Sequence, residues 1–123
     1  MQDIPELLKL ANTDPIAAYA SVYGSGWAER LRALPEHMHS GVVRWVLFGI
    51  EGGSFMRAVF GDQLVRSFMA ADDTNQRHMM RWVEFLVDGC PHACRGEGYQ
   101  DWKAAGGMYG LMKGSHEQNP AKN

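Results

Sequence analysis

Apolar positions recur along the chain at helical spacing, and no stretch alternates with a period of two. Asp14 and Pro15 form a helix start, Ile16, Ala17, Tyr19, Ala20 and Tyr23 follow as its apolar positions, and Gly24 supplies a stop. A smaller start of the same kind lies upstream, with Asp3 and Pro5 ahead of Leu7, Leu8 and Leu10. Residues 27–34 make a short helix closed by Pro35. In the next stretch Met38, Val42, Trp45 and Val46 share one stripe, Val43 and Leu47 widen it, and Gly49 is placed as the left-handed stop. Beyond Gly52 and Gly53, Ser54 is expected to cap 54–60 and Asp62 to cap 63–70, with Leu64, Val65, Phe68 and Met69 turned inward. Asp72 or Asp73 opens the most regular helix, 74–88. There Met79, Trp82, Val83 and Leu86 keep the i, i+3, i+4, i+7 rule, while Arg77, Arg81, Glu84 and Asp88 mark the wetter side. Residues 89–98 read as a loop, and 99–105 as one more short helix. The pattern predicts an all-α fold: a compact bundle of about five to seven short helices, one domain over 1–112, with the polar 113–123 as a tail outside it.

Composition narrows the function classes. A chain of 123 residues buries roughly two thirds of its unfolded surface, enough for a core without metal or disulfide. A formal net charge of −2 disfavours nucleic acid as the partner. No run approaches the ~20 apolar residues of a membrane span, the first residues lack the basic and apolar regions of a signal peptide, and two cysteines do not make a secreted disulfide scaffold. The expectation is a cytoplasmic protein with no membrane contact.

Four constellations carry candidate chemistry. Cys90, His92 and Cys94 offer three zinc-type ligands in five residues, with His78 or His116 as a distant fourth. The spacing fits no common zinc module, so the expectation is two ordinary thiols, dispensable for folding, with no metal and no cofactor. His37 and His39 are two apart on a helix and point to different faces. Asp72 and Asp73 are explained by a helix start. Residues 54–88 could be read as a helix-turn-helix with Arg77, His78 and Arg81 toward DNA, against the tight Gly61–Asp62 connection and the net negative charge. No constellation reads as a catalytic site, so no enzymatic activity is expected.

The aromatic surplus says more. Four tryptophans are many for this length, and Met80, Phe85 and Trp102 fall off the main stripes. With Arg77 and Arg81, the positions Met80, Tyr99 and Trp102 make a candidate partner-binding surface of the residue types that dominate interfaces. The opposing reading folds Trp102 back onto the core.

The run from Leu34 to Gly96 resembles a family of small proteins of unknown function encoded by bacteriophages and prophages. The shared pattern falls on Leu34, Pro35 and Met38; on Gly41, Arg44 and Trp45; on Gly49, Ile50, Gly53, Ser54 and Phe55; on Ala71, Asp72 and Asn75; and on Phe85 and Leu86. It departs at Gly61-Asp62-Gln63-Leu64, where the family reads Asn-Asp-Leu, and it leaves out the N-terminal third and the tail. The family brings no catalytic or binding residue. What the resemblance implies is a phage accessory protein that binds and modulates a host protein, with inhibition and an anti-defence or anti-CRISPR role as the expectation. A homo-oligomer is open, and the alternative is a small DNA-binding regulator using 54–88.

Overall fold

The stop and start signals in the sequence set the element boundaries of the computed structural model, which describes residues 4–110. Within that span every regular element is helical: α1 (Ile4–Thr13), α2 (Pro15–Tyr23), α3 (Ser25–Arg32), α4 (His39–Phe48), α5 (Ser54–Phe60), α6 (Leu64–Ala70), α7 (Asp73–Arg77), α8 (Met79–Asp88) and α9 (Tyr99–Ala105). Single 3-10 turns lie at Glu36–Met38, His92–Cys94 and Gly96–Gly98. The fold is all-α, with more and shorter helices than the five to seven expected. The expected tail, 113–123, lies outside the described residues.

Two caps form as the sequence predicts. The Asp14 carboxylate accepts from the Ala17 amide at 3.3 Å, and that of Asp72 from the Asn75 amide at 2.7 Å. Two others do not. Gly53, not Ser54, precedes α5, and Gln63 precedes α6. Asp62 instead takes a left-handed backbone, φ 57°, and turns its carboxylate to Arg95 at 3.3 Å. The expected 74–88 helix is broken into α7 and α8 at His78. The His78 ring Nδ1 lies 2.7 Å from the Thr74 carbonyl, the acceptor that the His78 amide would use in an unbroken helix, and that amide bonds Asn75 instead at 3.1 Å.

Core residues concentrate on α4, which buries Val42, Val43, Trp45, Val46 and Leu47. α1 and α2 pack on it, α2 and α3 form a hairpin, and α3 reaches across to α8. α5 and α6 form a second hairpin. At the C-terminal end of α4 the backbone of Gly107 approaches that of Gly49 so closely that a Cβ on Gly49, already at φ 69°, would lie 2.7 Å from the Gly107 nitrogen. Only glycine satisfies both demands there.

The face of α8 that is buried differs from the predicted stripe. Phe85 points toward α2 and α5, where it meets Tyr19 at 6.0 Å and Phe60 at 6.4 Å between ring centres, and it is fully buried. Val83, expected inward, lies on the rim and is 47% exposed. Trp82 is central: Phe55 and Phe60 meet its ring edge-on, and its Nε1 donates to the buried Asn75 Oδ1 at 3.1 Å. Trp82→Ala is expected to cost about 3–5 kcal/mol in denaturant unfolding, as for a large buried aromatic. Asn75→Ala is expected to cost about 1–3 kcal/mol by stranding the indole N–H, and much less in a Trp82→Phe background. Equal losses in both backgrounds would show that the Asn75–Trp82 bond is not the reason.

Candidate binding face

α6 carries its apolar residues on the side that its neighbours do not cover. Ser67 is its buried residue, its hydroxyl donating back to the Gln63 carbonyl at 2.6 Å. Leu64, Val65, Phe68 and Met69 are 66%, 73%, 44% and 82% exposed. This overturns the inward placement expected for them. The cause is that α5 already fills the interior from its own short length: Phe55, Met56, Ala58, Val59 and Phe60 are all buried. α6 lies back on α5 through its narrow Ser67 side.

α8 extends the apolar surface. Met80 is 67% exposed, Val87 59%, and Val83 completes their one-sided spacing. Between α6 and α8 runs an open apolar groove of about 230 Å3. Its lining includes Leu64 from one wall, Val83, Leu86 and Val87 from the other, and Val59, Met79 and Trp82 beneath. The Asp62–Arg95 pair borders it. Leu64, Val65, Phe68, Met69, Met80, Val83 and Val87 are each more than two-fifths exposed, and Leu64, Val83 and Val87 among them line the groove.

The candidate surface residues separate into two groups. Arg77, Met80 and Arg81 lie on the outside of α7 and α8. Arg77 Nε donates to the Asp73 carbonyl at 3.3 Å, and Arg81 pairs with Glu84 at 2.8 Å. Tyr99 and Trp102 are core residues, which corrects their assignment to the same surface. Tyr99 stacks on Trp45 with ring centres 4.5 Å apart and donates its hydroxyl to Glu51 at 2.7 Å. Trp102 Nε1 donates to the carbonyls of Val46 at 3.1 Å and Trp45 at 3.3 Å. Leu64, Val65, Phe68, Met69, Val83 and Val87 were missed as surface positions, because an apolar arc at helical spacing reads as a core face.

The cysteine loop holds its three ligand-type residues apart. His92 Nε2 bonds the Val87 carbonyl at 2.9 Å on the exposed side, whereas both thiols are buried within the core cluster. Contact with the Cys90 thiol, and burial, push the Cys94 thiol up. Burial likewise pushes up the phenols of Tyr19 and Tyr23 beside them. Among the described residues no three of His, Cys, Asp or Glu gather as a metal site would require. His37 pairs with Asp72 at 3.0 Å, and His39 is buried against the Leu34 carbonyl at 2.7 Å.

No protein-family model, curated protein or solved structure matches the chain. Among the described residues no helix is long and apolar enough to cross a membrane.

Burial changes what the thiols should do on substitution. Cys90→Ser with Cys94→Ser places two hydroxyls in an apolar site and is expected to lower the melting temperature by several degrees, whereas Cys→Ala at both costs less. An unchanged melting temperature for the serine pair would place the thiols outside the core. A second outcome concerns Glu51, whose carboxyl is held below its ordinary 4.5 first by the Tyr99 hydroxyl and then by Lys103. A depressed folded-state value stabilises the protein above the unfolded value and is lost as pH falls through the folded one. Glu51→Gln should therefore flatten the loss of stability below about pH 4.5, read by thermal melts. Identical acid limbs for both proteins would remove Glu51 from that loss.

Proposed function

We propose that the chain is a protein-binding module whose working surface is the exposed α6–α8 face, and that it acts by occupying a partner without turnover. The supporting observation is the exposure of Leu64, Val83 and Val87 on the two walls of the apolar groove, with Val65, Phe68, Met69 and Met80 also exposed on the same two helices. Leaving such a patch in water is costly at roughly 25 cal/mol per Å2, and a partner recovers that cost. Arg77 and Arg81 at its border are residue types suited to a binding rim.

The resemblance to phage-encoded proteins supports a finer reading: an accessory protein that binds and inhibits a bacterial host protein in the host cytoplasm, with a role against host defence such as CRISPR. The alternative, a DNA-binding regulator using 54–88, is less well supported. The helix that would enter the groove, α8, offers Met80, Val83 and Val87 to solvent, and apolar side chains do not pair with phosphate.

The test is affinity capture from a bacterial lysate with the wild type and with Met80→Glu and Val83→Glu. The expected result is a stoichiometric host protein captured by wild type and lost from both variants, whose melting temperatures stay within a few degrees of wild type. Retention of the partner by both variants, or capture of duplex DNA in a salt-sensitive manner, would contradict the reading.

A further inference from the structure

We propose that a second cleft, between α5 and α6, is a site for a small phosphomonoester dianion, apart from the apolar groove and independent of the binding-module reading. The two helices fold back on each other as a hairpin, and the cleft takes Arg57 from one arm and Arg66 from the other. Ser54 and Gln63 line it as well, and Met69 forms part of an apolar wall. Its volume of about 500 Å3 falls within the roughly 300–1000 Å3 that small-molecule sites occupy. No carboxylate is among its lining residues.

Both guanidinium groups are left without an internal counter-charge. Arg30, Arg32, Arg81 and Arg95 each pair with a carboxylate, whereas Arg57 and Arg66 have no ion-pair partner among the described residues. The acidic residues that flank the hairpin are engaged elsewhere. Glu51 accepts from Tyr99 at 2.7 Å and pairs with Lys103 at 3.0 Å, Asp62 pairs with Arg95 at 3.3 Å, and Asp72 with His37 at 3.0 Å. Arg57 is the weakest of the influences that hold the Glu51 carboxyl down. Asp73 sits in the first turn of α7 and does not line the cleft. Arginine stays charged at any physiological pH, so the cleft keeps two positive charges. A monocarboxylate would balance one of them. A phosphomonoester carries about −1.5 to −2 at pH 7 and three strong acceptor oxygens, which two planar guanidinium forks can share. The Ser54 hydroxyl and the Gln63 amide add neutral donors for the same oxygens. The ester's organic body then meets Met69, 82% exposed, whose thioether makes favourable contacts with an aromatic ring.

The test is titration of the full chain with phenyl phosphate, followed by NMR shifts of backbone amides and arginine side chains. The expected result is saturable binding that shifts the Arg57 and Arg66 side chains. Arg57→Gln and Arg66→Gln should each weaken it at least about tenfold, and Arg32→Gln, on an arginine paired with Glu29 at 3.3 Å, should leave it unchanged. Arg57 and Arg66 are exposed, so melting temperatures of these variants should stay within a few degrees of wild type. Methyl phenyl phosphate, a monoanion with the same ring, and phthalate, a dicarboxylate dianion, should both bind at least about tenfold more weakly than phenyl phosphate. Equal affinity for the diester overturns the preference for a dianion, and equal affinity for phthalate overturns the phosphoryl group as its basis. Equal affinity for inorganic phosphate overturns the ester in favour of the free ion. No shift at either arginine, or an affinity that both glutamine variants leave untouched, removes the site.

Discussion

A ten-residue helix buried on most of its circumference needs neighbours on every side, and α4 obtains several of them through Trp45. The indole lies within 1% of full burial, donates to the Cys94 carbonyl at 3.1 Å, stacks on Tyr99 and leans on Phe60 at 6.1 Å. The backbone carbonyl of the same residue accepts from Trp102. One residue thereby fixes the cysteine loop, α9 and α5 relative to α4. The N–H groups of two buried indoles are satisfied by backbone carbonyls at the same place, where an unpaired one would cost about 1–3 kcal/mol.

This arrangement has a consequence for α6. The inner side of α5, the rings of Trp82 and Phe85, and the aromatic contacts of Trp45 already occupy the interior. A further apolar helix has nothing left to face, so α6 packs through Ser67 and leaves its larger residues in water. The exposed face is thus what remains when a bundle of very short helices closes around α4 and α8. That origin links the core to the binding function proposed for the surface.

Much of the helical plan was legible. Asp14, Asp72 and Gly49 sit at the boundaries that capping chemistry assigns them, and α9 covers the expected 99–105. Three features were not legible, for different reasons. The break at His78 depends on a side chain competing for a backbone carbonyl, which periodicity does not register. The inward turn of Phe85 and Trp102 depends on partners from elsewhere in the sequence, Tyr19 and Phe60 for the first and the α4 carbonyls of Trp45 and Val46 for the second, which the local pattern does not register. The outward turn of α6 is opposite to its pattern, since Leu64, Val65, Phe68 and Met69 form as good an apolar arc as any in the chain. Arg77, Met80 and Arg81 were legible as exposed positions because they fall off the stripe; the exposed apolar residues of α6 were hidden by looking like core.

Methionines report directly on whether the α6–α8 face is open in the free protein. Met69 on α6 and Met80 on α8 are 82% and 67% exposed, whereas Met56 and Met79 are 4% and 8% exposed. Thioether oxidation follows access of the oxidant, so mild peroxide treatment read by peptide mass spectrometry ranks the four sites. The account predicts that Met69 and Met80 oxidise at the rate of an unfolded control while Met56 and Met79 lag by about tenfold or more in the folded monomer. Protection of Met69 and Met80 to the level of Met56 and Met79 in the monomer would contradict it.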